Sequence, residues 1–93
     1  MVVAVQTWEL SLPGCSSLKE KRSVVRSLKD RLRNKFKASV AETDHQDVLA
    51  RAAVTLALVT TDRRSAESML DKADRFVQEH ARAVIVGVHR DLY

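Results

Sequence analysis

Over the first twelve residues, hydrophobic and polar positions alternate. Val2, Ala4, Trp8, Leu10 and Leu12 fall on one side, with Gln6 the polar exception, and Thr7, Glu9 and Ser11 fall on the other. A period of two predicts a half-buried strand, which Pro13-Gly14 stops. The period then changes. Leu18, Val25, Leu28, Leu32 and Phe36 recur at helical spacing, with Val24 widening the stripe. Ser17-Leu18-Lys19-Glu20 in front of them has the form of a capping box, in which Ser17 and Glu20 each satisfy an orphan backbone N–H.

A short strand is expected over Ala38–Thr43, a polar connection over Thr43–Asp47, and a strand over Ala52–Thr60 with Val54, Leu56 and Leu58 on its bulkier face. Thr61 or Asp62 can cap a second helix, whose apolar positions are Ala66, Met69, Leu70, Ala73, Phe76 and Val77. Ala83–Val88 predicts a last strand. Strand, helix, strand, strand, helix, strand is the split βαβ order of ferredoxin-like folds. The expected fold is therefore α+β, a four-stranded antiparallel sheet with both helices on one face. The same elements in another strand order are the alternative.

Ninety-three residues, 45% hydrophobic and 30% charged, suit one globular domain over 1–93. Two glycines and one proline leave little of the chain for loops. The single cysteine, Cys15, has no intramolecular partner, which fits a reducing cytoplasm. The start lacks the basic n-region and the long apolar run of a signal peptide. No stretch approaches the roughly 18 apolar residues that a membrane span needs.

Charge changes the picture more. Leu18 to Lys37 carries nine Lys or Arg against Glu20 and Asp30, a local net of +7, while the remainder of the chain nets −3. The pI near 9.6 thus comes from one helix, and such asymmetry points to a polyanionic partner. Lys19, Lys21, Arg22, Arg26, Lys29 and Arg33 are the candidate phosphate contacts. The outward strand positions, Val3, Val5, Thr7 and Glu9 with Ala53, Thr55, Ala57 and Val59, include no aromatic. RNA recognition would therefore run through the backbone rather than by stacking bases on the sheet.

The same outward list predicts a smooth aliphatic face of Val3, Val5, Ala53, Ala57 and Val59, with Ile85 beside it. Exposed apolar patches commonly mark association sites, so a homodimer through this open face is expected. Asp44, His45, Gln46 and Asp47 have the residue types of a metal or acid–base cluster. Adjacent loop residues rarely complete a coordination shell, and turn chemistry accounts for them better. Ser17 lacks a placed His and acid partner, and two glycines cannot build a phosphate-cradling loop. No catalytic residue, metal site or cofactor is expected.

Pro13-Gly14 leading into Ser17-Leu18-Lys19-Glu20-Lys21-Arg22, then Val40–Asp47 and Thr61-Asp62-Arg63-Arg64, resembles the YlxP-like family of small bacterial proteins, a domain of unknown function. The likeness runs over essentially the whole chain. It implies a ferredoxin-like fold and a bacterial cytoplasmic protein whose gene tends to lie among translation and ribosome-maturation genes, and it brings no activity or site residues. Gln6 stands where that family's first strand is expected to be apolar. The reading that follows is a non-enzymatic, homodimeric protein associated with RNA or a ribosomal subunit. A regulatory module binding a protein or small ligand is the alternative, and a metal-assisted enzyme using Asp44, His45 and Asp47 ranks last.

Overall fold

Six elements follow one another in the computed structural model, which describes residues 1–93: β1 (Val2–Ser11), α1 (Leu18–Phe36), β2 (Ser39–Asp44), β3 (Arg51–Thr60), α2 (Arg63–His80) and β4 (Val84–Leu92). The strands form one antiparallel sheet in the order β2-β3-β1-β4. This is the ferredoxin-like arrangement that the element order predicts, with both helices on one face. β1 and β3, ten residues each, are the two central strands. Ala4, Gln6, Trp8 and Leu10 point to the helices, and each has a partner on β3 and on β4.

The core is aliphatic, with Val25, Leu28 and Leu32 of α1 and Leu70, Ala73 and Val77 of α2 packed on Trp8, Leu10, Val54 and Leu56. Two polar ties then orient α2. The indole of Trp8, fully enclosed, donates to Asp74 Oδ1 at 2.9 Å, and Gln78 donates to the other oxygen of Asp74 at 2.8 Å. A buried indole N–H needs such a partner.

Gln6 is equally enclosed, and its Oε1 accepts from Arg90 Nε at 2.6 Å. Arg90 reaches on to Glu67 at 2.7 Å and Asp71 at 2.9 Å. Burial alone would lower the pKa of Arg90, but hydrogen bonds to these two carboxylates outweigh it and raise the value. This tie explains why β4 continues to Leu92, four residues past the predicted strand. His89, Arg90 and Asp91 break the apolar run, yet β4 pairs with β1 along its length and Arg90 is paid for by α2.

The caps follow the sequence with one shift. Ser17 Oγ accepts from Glu20 N at 3.1 Å, whereas the Glu20 carboxylate takes the hydroxyl and backbone N–H of Ser16, not the N–H of Ser17. Those two bonds from Ser16 lower the pKa of Glu20. Asp62, rather than Thr61, caps α2 by accepting from Ser65 N at 2.8 Å.

α1 ends on Lys37, whose φ of 52° lies in the left-handed region while its N–H bonds to the Arg33 carbonyl. A Cβ there is unfavourable and glycine is the usual C-terminal residue. Lys37→Gly should therefore stabilise the fold by about 0.5–1 kcal/mol, seen as a higher urea midpoint with an unchanged slope.

Candidate nucleic-acid interface

α1 is anchored by a lysine. Lys21 lies on its buried face near the N-terminal end, 0% exposed. The side chain of Lys21 reaches past the end of β2, where Nζ donates to the carbonyl oxygens of His45 and Gln46 and stands 3.1 Å from Glu42 Oε2. Glu42 Oε2 is paired by charge there and makes no hydrogen bond. Of the six candidate phosphate contacts, Lys21 is therefore a correction. It is enclosed by protein, and its charge is already matched inside the fold.

Burying Lys21 turns the other five outward. Lys19, Arg22, Arg26, Lys29 and Arg33 succeed one another at intervals of three and four residues, so they form one stripe along the flank of α1 that borders β2 and the connection after it. Lys19, Arg22, Arg26 and Arg33 are exposed and Lys29 is half-buried. Lys19, Arg22 and Arg26 line a shallow depression around Ser23. No carboxylate lies within 4.0 Å of Lys19, Arg26 or Lys29. Arg22 has only Asp47, at 3.8 Å, and both are exposed.

Arg33 is partly committed, donating to Asp30 at 3.3 Å and to the carbonyl of Val40 on edge strand β2. Each neighbouring pair of like charges costs α1 about 0.2–0.5 kcal/mol. A row of phosphates would reverse that sign.

The open face of the sheet differs from the expected smooth patch. Val3 faces Val59 and Val5 faces Ala57 across the β1–β3 ladder, and Val59 is 67% exposed. Ala53 is not available, being 1% exposed where the Asp44–His45 segment and Glu9 flank it in register. Ile85 turns the other way, pairing with Leu10 and packing on the core. Polar groups occupy the middle of the face. Thr55 bonds to Thr7 and to Thr43, each at 2.8 Å, and Glu9 meets His45 at 3.2 Å and Arg51 at 3.6 Å. Val3, Val5, Ala57 and Val59 make an apolar corner, and Val84, opposite Ser11 on β4, is exposed apart from it.

The Asp44–Asp47 connection works as a turn. Asp44 accepts the N–H of His45, which has a φ of 63°, and the His45 carbonyl accepts from Val48 N as well as from Lys21. The imidazole is turned to Glu9, and Asp47 lies out towards Arg22. No group of three or more His, Cys, Asp or Glu side chains gathers where a metal ion could be held. Cys15 is half-buried against the core edge. No helix is long and apolar enough to cross a membrane.

The buried role of Lys21 had a signal in the sequence. Leu18, Lys21, Val25, Leu28, Leu32 and Phe36 make one unbroken helical stripe in which Lys21 fills the only gap.

Three likenesses bear on this chain. The family model described as a protein of unknown function, DUF503, matches residues 3–90. The uncharacterized protein YlxP of Bacillus subtilis (strain 168) is 36% identical over 69 residues, covering 74% of this chain and 75% of that protein. An uncharacterized NIPSNAP domain protein from Burkholderia xenovorans superposes over 100% of this chain and 92% of its own, with a TM-score of 0.52 and 10% identity, a likeness of fold alone.

Lys21→Ala should cost about 3–5 kcal/mol, because it strands Glu42 and two carbonyls, whereas Lys19→Ala should stay within about 0.5 kcal/mol. Equal urea midpoints for the two variants would show that the ammonium of Lys21 carries no structural load.

Proposed function

The chain belongs to the DUF503 family, and from that premise we propose that it is a non-enzymatic RNA-associated protein that grips the phosphate backbone through the basic flank of α1. One observation carries this reading: Lys19, Arg22, Arg26, Lys29 and Arg33 form a single stripe along one flank of α1, three of them with no carboxylate within 4.0 Å. The stripe runs for about 21 Å of helix, long enough to meet several consecutive phosphates. Its contacts position a nucleic acid without reading its bases. The outward positions of β1 and β3, Val3, Val5, Thr7, Thr55, Ala57 and Val59, offer no ring for a base to stack on.

Structured RNA is the partner class. The gene setting that the resemblance to YlxP-like proteins implies, among translation and ribosome-maturation genes, favours RNA within a ribosomal subunit.

The test is binding to ribosomal subunits and to bare duplex RNA across a salt series. Arg22→Ala/Arg26→Ala should lower the magnitude of the salt slope by about two, and Arg22→Glu/Arg26→Glu should abolish binding with the circular dichroism spectrum intact. Wild-type affinity and slope in both variants would refute the reading, and the module for a protein or small-ligand partner would replace it.

A second reading rests on the exposed corner of the open sheet, where Val3 pairs with Val59 and Val5 with Ala57. Two copies meeting there would form a sheet-to-sheet homodimer and remove the apolar surface from water. Val59→Glu should convert a dimer to a monomer in sedimentation equilibrium. A wild-type chain that is monomeric at every concentration reached would dispose of this second reading.

A further inference from the structure

The far end of α1 meets α2 in a hollow of about 290 Å³ that the backbone stripe does not use. Lys72, Arg75 and Phe76 line it from one face of α2, and Lys35 lines it from α1. An adjoining hollow brings in Arg31 beside the same Phe76 and His80. None of these four cations has a carboxylate within 4.0 Å. Glu79 at the rim is the only acid.

The floor is aromatic. Phe36 meets Phe76 edge to face at 5.9 Å, and His80 stacks on Phe76 at 4.2 Å and 19°. The ammonium of Lys35 stands 5.6 Å from the centre of the Phe76 ring, within cation–π range. The imidazole of His80 is fixed, because its Nδ1 donates to the Phe76 carbonyl at 3.1 Å. One side of that exposed ring lies on Phe76 and the other side faces solvent.

An oriented aromatic plane ringed by unpaired cations matches one chemical class better than others. Inorganic anions and acidic peptides use the cations but not the plane. A nucleotide uses both, its base on the imidazole and its phosphate on the guanidinium and ammonium groups. Resting on the reading of α1 as a backbone contact, we infer that the groove between α1 and α2 holds one unpaired nucleotide of the bound RNA. The chain then prefers RNA in which a single-stranded residue flanks a duplex. The base stacks on His80, and Arg31, Lys35, Lys72 and Arg75 take the flanking phosphates. Recognition is of an unstacked base as such, whatever its identity, since stacking on an imidazole is open to every base.

The experiment compares wild type, His80→Ala and Arg22→Glu/Arg26→Glu on a blunt RNA duplex and on the same duplex with a single-stranded overhang. His80 is exposed at the end of α2, so the fold of His80→Ala can be checked by circular dichroism before binding. The expected result is a loss of about tenfold on the overhang RNA for His80→Ala, with the blunt duplex unchanged.

A second arm titrates adenosine 5′-monophosphate and inorganic phosphate into the wild-type chain. The ring resonances of Phe76 and His80 should move with the nucleotide and not with phosphate. Equal binding of both RNAs by wild type and His80→Ala, or equal ring shifts with phosphate, would overturn the inference. So would a polyglutamate peptide of equal charge that binds as tightly as the overhang RNA. Failure of the backbone reading looks different: Arg22→Glu/Arg26→Glu would then keep its grip on the blunt duplex.

Discussion

Everything on the surface of α1 depends on one enclosed ammonium group. An unpaired charge in a protein interior is too costly to persist, so Lys21 must find the carbonyls of His45 and Gln46 and the carboxylate of Glu42. Glu42 lies within β2 and the two carbonyls just beyond its end. A helix held only by Val25, Leu28 and Leu32 could rotate by some tens of degrees against a greasy sheet. A helix held also by Lys21 cannot, because its charge has one place to go. The same contact fixes the connection after β2, and that connection carries His45 over the open face to Glu9. One residue thus sets the roll of α1, the path of a turn and the cover over Ala53.

The polar ties of α2 act in the same way. Trp8 to Asp74, and Gln6 through Arg90 to Glu67 and Asp71, cross between layers at two points along β1. Hydrophobic burial gives such a small domain its driving force. These directional contacts decide how the helices sit on the sheet, and so which cations face one another across the groove between α1 and α2.

Much of the fold was legible because burial leaves a period. The alternation of β1, the stripe of α1 and the caps at Ser17 and Asp62 are local, and local patterns survive in a sequence. The inward place of Gln6 followed from that alternation even though its side chain is polar. Lys21 was also legible in principle, since it completes the apolar stripe of α1, but its charge drew it into the solvent-facing set. Partners distant in the chain were not legible. Nothing near Trp8 announces Asp74, and nothing in the His89-Arg90-Asp91 run announces that β4 continues through it. The exposed corner of the sheet was half visible: Val3 and Val59 follow from register, whereas the loss of Ala53 depends on where the Asp44–His45 turn lies.

The arrangement of Gln6 and Arg90 also says something about how this sequence can drift. The guanidinium is stationed between β1 and α2 by an amide in the core on one side and two carboxylates on the other. An aliphatic side chain at position 6 would leave Arg90 Nε without its acceptor, at about 1–3 kcal/mol. A short apolar residue at position 90 would strand the amide of Gln6 in turn, and leave Glu67 and Asp71 repelling each other one turn apart on α2. Neither replacement passes easily alone. The four positions are thus coupled, and an apolar side chain at position 6 calls for a matching change at the far edge of the sheet.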